Sequence, residues 1–138
     1  MTHSELKDRT LSGDTRALAR AATLIENQPA QGRELLKLLV DSTGHALTVG
    51  ITGPPGAGKS TLAAALTASL RHQGKKVAIL AIDPSSTVTR GALLGDRIRM
   101  QEHYADSGVF IRSVATRGQL GGLAACTLDL VLLLAFRV

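Results

Sequence analysis

The sequence predicts an α/β fold: a parallel β-sheet flanked by helices and preceded by a helical N-terminal extension. Three observations carry this. After residue 45, short apolar runs rich in β-branched residues alternate with stretches of helical periodicity. Before residue 45, apolar residues recur only at helical spacing. The 138 residues are 44% hydrophobic but only 2% aromatic, so the core must consist of Leu, Val, Ile and Ala, a composition suited to helices packed on a parallel sheet. The implied organisation is an extension over 1–45 and a sheet-containing domain over 46–138.

The elements follow in order. Asp14 is placed to cap a helix running to Asn27, with Leu18, Ala21, Ala22 and Ile25 on one face. Pro29 and Gly32 read as punctuation, and a second helix is expected from Arg33 to Ser42, with Leu35, Leu36, Leu38 and Leu39 on its apolar side and Gly44 after it. Ala46–Thr52 is short, apolar and β-branched and reads as a buried strand. Lys59–His72 reads as a helix ended by Gly74, and Lys76–Ile82 as a second buried strand closed by Asp83-Pro84. Such a strand–helix–strand unit requires a parallel pairing with a right-handed crossover. A loop over 85–95, a helix over 96–105 stopped by Gly108, a third strand over 109–114, a glycine-rich loop over 115–122 and a last helix over 123–134 complete the reading.

Composition narrows the function. The formal net charge of +5 favours anionic partners such as nucleotide phosphates or acidic protein surfaces. It does not indicate nucleic acid, because no basic run exceeds Lys75-Lys76 and aromatic residues for base stacking are almost absent. Cys126 is the single cysteine, so no internal disulfide and no cysteine-based metal site can form, as suits a reducing cytoplasm. The N-terminus is polar and charged, unlike a signal peptide, and the longest strongly apolar run, 130–136, is far short of the ~20 residues of a membrane span. A soluble, cytoplasmic protein without a membrane role is expected.

One motif carries specific chemistry. Gly53-Pro54-Pro55-Gly56-Ala57-Gly58-Lys59-Ser60 matches the Walker A pattern, G-x-x-x-x-G-K-[ST], at every fixed position. It lies between an expected strand and an expected helix, the setting this phosphate-binding loop requires. The glycines let the backbone curl so that N–H groups face phosphate oxygens, and the start of the next helix adds partial positive charge. Lys59 is the candidate catalytic residue, neutralising the β- and γ-phosphates, while the Ser60 hydroxyl ligates magnesium. The motif predicts a P-loop NTPase fold and binding of a purine nucleoside triphosphate with Mg2+.

Other positions stay open on the residues alone. Asp83 ends a strand at the sheet edge where ligands gather, and is either a magnesium contact or part of an Asp-Pro turn. Asp96 is either a magnesium contact from a loop or a helix cap. Arg90, Arg97 and Arg99 either touch phosphate or are solvated, and 116–122 is either a ligand-side loop or a connection. Cys126 reads as a core thiol, and the four histidines have no ligand spacing.

Together the blocks 49–62, 77–86 with its Asp83-Pro84-Ser85-Ser86, 94–100 with its Leu94-Gly95-Asp96, Phe110-Ile111-Arg112 and Gly118-Gln119-Leu120-Gly121-Gly122 resemble the MeaB/ArgK family of P-loop GTPases, also labelled LAO/AO transport system kinases or ATPases. The resemblance runs from about Gly13 to Leu134. It implies chaperones of methylmalonyl-CoA mutase that couple GTP binding and hydrolysis to adenosylcobalamin loading and to protection of the mutase. At matched positions, Gly53 to Thr61 would hold the phosphates, Asp83 would sit beside magnesium, and Asp96 would belong to the first switch region. Residues 1–45 would be the family's helical extension.

The chain also departs from the family pattern. Members continue beyond the position of the last helix into a Glu-Thr-Val-Gly second switch, an Asn-Lys-x-Asp guanine-reading motif and a C-terminal segment that makes the family homodimer, none of which this sequence contains. The expectation is therefore a truncated or frameshifted product, or a gene fragment, with an incomplete sheet whose open edge invites aggregation. Phosphate and magnesium binding should outlast turnover and base choice, so ATP stays open beside GTP. Two further readings are a small-molecule kinase on the same loop and a nucleotide-binding remnant without turnover.

Overall fold

The computed structural model of the chain describes residues 1–83, 103–115 and 125–136. These fall into two compact units, one of residues 1–48 with 125–138 and one of residues 49–124. The expected helix over 96–105 lies outside the described residues except for a turn at 103–105, and the loops over 85–95 and 116–122 lie outside them altogether.

The first unit is helical. Helix α1, His3–Leu11, is an element the apolar pattern did not reveal, because its signal is polar. The Thr2 hydroxyl accepts from the Glu5 amide at 3.2 Å while the Glu5 carboxylate accepts from the Thr2 amide at 2.7 Å, a reciprocal capping box. Helix α2 is Thr15–Asn27, with Asp14 at the N-cap accepting from the amides of Arg16 and Ala17 at 2.9 and 3.1 Å. Asp14 also accepts from Arg9 Nε at 2.9 Å, which ties the end of α1 to the start of α2.

Helix α3 is Pro29–Leu39, continued by a 3-10 turn over Val40–Ser42. The expected start at Arg33 is corrected by a turn, since Pro29 occupies the first helical position, where its missing N–H costs nothing. Gly32 is inside the helix and buried, packed against Ile25 of α2. The buried stripe is Gly32, Leu35, Leu36 and Leu39, while Leu38, placed on the apolar side by its neighbours in sequence, faces out at 45% exposure. Helix α5, Thr127–Leu134, completes the unit by burying Leu130 and Leu133, and the Ala135 carbonyl accepts from the His45 amide at 3.1 Å.

The second unit contains helix α4, Lys59–His72, and strands β1, Val77–Asp83, and β2, Val109–Ala115. The strands pair in parallel from Val77 opposite Val109 to Asp83 opposite Ala115. This is the α/β architecture with a parallel sheet that the sequence predicts, and among the described residues the sheet is open, with two strands.

The expected strand over 46–52 is not formed. Those residues join no described strand, and Leu47, Val49 and Ile51 are 91%, 59% and 39% exposed. An apolar β-branched run declares a capacity for pairing, but a strand exists only where a neighbour supplies the ladder, and here β1 and β2 supply it to each other.

Candidate functional site

The phosphate-loop motif folds as a tight exposed turn running straight into α4. Gly56 and Gly58 take φ of +77° and +90°, left-handed conformations that side chains disfavour, and no heavy atom lies within 4 Å of where a Cβ would project from either. The Ala57 amide donates to the Pro54 carbonyl at 3.3 Å, closing the turn. Pro54 and Pro55 have no N–H, so the donors for an anion come from residues 56 to 61.

Gly58 is the N-cap of α4 and provides no side-chain cap, so the first turn of this 14-residue helix presents backbone donors and the positive end of its dipole at the loop. The Lys59 ammonium reaches back over the loop, donating to the carbonyls of Gly53 and Pro54 at 2.7 and 2.8 Å. Loop, helix start and ammonium thereby converge, a concentration of positive potential suited to a polyphosphate. Charge along the chain agrees: residues 49–124 hold nine Lys and Arg against four Asp and Glu, which accounts for the whole net charge of +5.

Two positions carry residue types that magnesium takes as ligands. Ser60 lies half-buried in the first turn of α4, and Asp83 ends β1 opposite Ala115. A hydroxyl and a carboxylate are hard oxygen donors, and magnesium bound to a nucleotide takes only one or two carboxylates, the rest of its shell being phosphate and water. Among the described residues, no group of three or more His, Cys, Asp or Glu gathers to hold a metal. Asp96, Arg90, Arg97 and Arg99 lie outside the described residues. Cys126 is half-exposed at the N-cap of α5 rather than in the core. No described helix is long and apolar enough to cross a membrane.

The sequence reading missed a cluster at the far end of α4. Arg71 donates to both carboxylate oxygens of Asp106, from Nε at 2.8 Å and Nη2 at 3.0 Å, and from Nη1 to the Lys75 carbonyl at 2.6 Å. Asp106 also accepts from the Gly108 amide at 2.8 Å. The Arg71 guanidinium holds the Asp106 carboxyl below the usual carboxylate range, aided by the Gly108 amide, and Asp106 in turn raises Arg71. The only local hint was Asp106-Ser107-Gly108, an Asp two residues before a turn glycine.

A family model described as "Methylmalonyl Co-A mutase-associated GTPase MeaB" matches residues 18–136. A protein of Pyrococcus abyssi named "Putative GTPase" is 57% identical over 127 residues, covering 92% of this chain and 39% of the relative. The Escherichia coli protein named "GTPase ArgK" is 40% identical over 136 residues, covering 96% of this chain and 41% of the relative. A Caenorhabditis briggsae protein named "Methylmalonic aciduria type A homolog, mitochondrial" is 42% identical over 137 residues, covering 88% and 33%. A crystal structure of an LAO/AO transport system kinase superposes with a TM-score of 0.70 at 31% identity, covering 97% of this chain and 39% of that one. The chain thus spans about two fifths of the length of most of these relatives.

Proposed function

This chain belongs to the MeaB family of GTPases, and from that premise we propose that it binds GTP with Mg2+ on the loop Gly53–Thr61. The observation that carries the reading is local: the left-handed Gly58 leads into an uncapped α4 whose first residue, Lys59, lays its ammonium across the loop. The amides of residues 56 to 61 hold phosphate oxygens, and Lys59 shifts its donors from the Gly53 and Pro54 carbonyls toward the β- and γ-phosphates, lowering the cost of their charge. Ser60 and Asp83 hold the magnesium ion, with Asp96 as a further oxygen donor. When bound, the ion offsets negative charge on the phosphates. Gly53, Pro54, Pro55, Gly56, Ala57, Gly58, Lys59, Ser60 and Thr61 form the nucleotide site in this reading.

Association with methylmalonyl-CoA mutase is the partner reading, supported by the family's description and by the relative named for methylmalonic aciduria. A second reading, transfer of phosphate to a small acceptor, rests on the name of the similar transport system kinase.

Titration of the purified chain with fluorescent GTP and fluorescent ATP, each with magnesium, tests the proposal. Saturable, magnesium-dependent binding that favours GTP supports it, and Lys59→Ala should weaken binding by at least tenfold through loss of a charge-assisted contact. Equal affinity for both nucleotides reduces the claim to a phosphate site without base choice. A folded wild-type chain that binds neither overturns it. Phosphate appearing on a small acceptor rather than in solution would favour the kinase reading.

A further inference from the structure

We propose that Arg71, Asp106 and Gly108 form a clamp that positions the phosphate-loop helix against β1, so that magnesium finds Ser60 and Asp83 in register; this rests on the nucleotide reading above. The clamp lies at the end of α4 opposite the loop. Arg71 bridges three pieces of chain: its own helix, the Asp106 carboxylate just before β2, and the Lys75 carbonyl just before β1. The Val77 amide, the first of β1, donates to the Gly108 carbonyl at 2.9 Å, so β1 and β2 enter the sheet at the point the arginine holds.

A second tie lies two helical turns toward the loop, where His103 Nε2 is 3.3 Å from the Ala64 carbonyl oxygen with its side chain largely buried. Residues 64, 67 and 71 share one helix face, and Thr67 between the two ties is 2% exposed. These two ties on one face resist both sliding of α4 along its axis and its rotation against the segment that precedes β2.

This restraint matters unequally for the two halves of the ligand. In the nucleotide reading the phosphates are held by one contiguous segment, 53–61, whose described contacts, the Lys59 ammonium on the Gly53 and Pro54 carbonyls and the Ala57 amide on the Pro54 carbonyl, are all local. Magnesium needs a hydroxyl from α4 and a carboxylate from β1, two elements whose relative placement the clamp sets. A loosened clamp therefore leaves phosphate affinity and lowers the contribution of magnesium. Arg71, Asp106 and Gly108 are positioning residues, since they lie at the end of α4 opposite the loop.

Gly108 offers a test that removes no charge. A Cβ there would collide with the Arg71 guanidinium, the movable end of a long side chain, so Gly108→Ala displaces the arginine from Asp106. In equilibrium binding of a fluorescent GTP analogue to the full chain, the half-saturating magnesium concentration should rise about tenfold in Arg71→Ala, Asp106→Asn and Gly108→Ala. Affinity for the same nucleotide in excess chelator should stay within about twofold of wild type. Arg71→Ala combined with Asp106→Asn should be no worse than either alone, as for two halves of one device. Equal losses with and without magnesium, or an unchanged magnesium requirement, would overturn the clamp. Should Arg71→Ala unfold, Gly108→Ala carries the test. Failure of the wild-type chain to bind the nucleotide would instead overturn the reading of function on which the clamp rests.

Discussion

At Gly32 a methyl group has no room: a Cβ would lie 2.7 Å from Ile25 Cα and 3.0 Å from its Cγ1. In an open helix, replacing glycine by alanine stabilises by about 1 kcal/mol. Here the clash is with backbone, which cannot swing aside, and overpacking wins. Gly32→Ala should lower the free energy of unfolding by about 1–3 kcal/mol, read from urea denaturation of the helical unit; an unchanged or higher midpoint would refute the packing argument. The same residue shows where reading by residue type fails. A glycine at position 32 reads as a break because glycine is a poor helix former, and only the crossing of α2 and α3 shows it serving close approach. Lys59 is the opposite case: the motif spacing sets it at the start of a helix directly after the glycine loop, and the structure has it there, its ammonium on the Gly53 and Pro54 carbonyls.

Helix starts were legible where a side chain caps the backbone within three residues. Asp14 and the full span of α2 follow from sequence because cap and apolar stripe are both local. Asp14→Ala should cost about 1 kcal/mol, the usual value of an N-cap, and somewhat more if the contact with Arg9 also contributes. Thermal unfolding monitored by helical circular dichroism would show it, and a loss below about 0.3 kcal/mol would mean that packing alone holds the start of α2. Helix α4 and the two strands also fell within a residue of their expected limits. Helix α1 carries no apolar periodicity, and its one local sign is the capping box of Thr2 and Glu5. The segment 46–52 erred in the other direction: strand propensity is local, but pairing is decided by what lies alongside.

Across the molecule, the carboxylates of Glu5, Asp14, Glu34 and Asp106 all sit below their ordinary values, held there chiefly by hydrogen bonds from Thr2, Arg9, Lys37 and Arg71 respectively. A carboxylate whose folded pKa is depressed adds stability above its unfolded value, about 4, and that stability is lost as pH falls through the folded value. The melting temperature should therefore hold between pH 7 and 5 and fall below about pH 4, with salt softening the effect because these groups are exposed. Asp14→Asn combined with Asp106→Asn should flatten that acid limb, and an identical limb in the double variant would show that other groups control it.

The sequence by itself determined the α/β class, the glycine-rich turn that leads into α4, the capped α2 and the family, because each is written in spacing or in contacts a few residues long. The tertiary structure decided which strands pair, that α5 joins the N-terminal helices, that Gly32 is a packing residue, and that Arg71 meets Asp106 across 35 positions. Those outcomes depend on which surfaces meet after the chain has folded back on itself, and no local pattern encodes the partner.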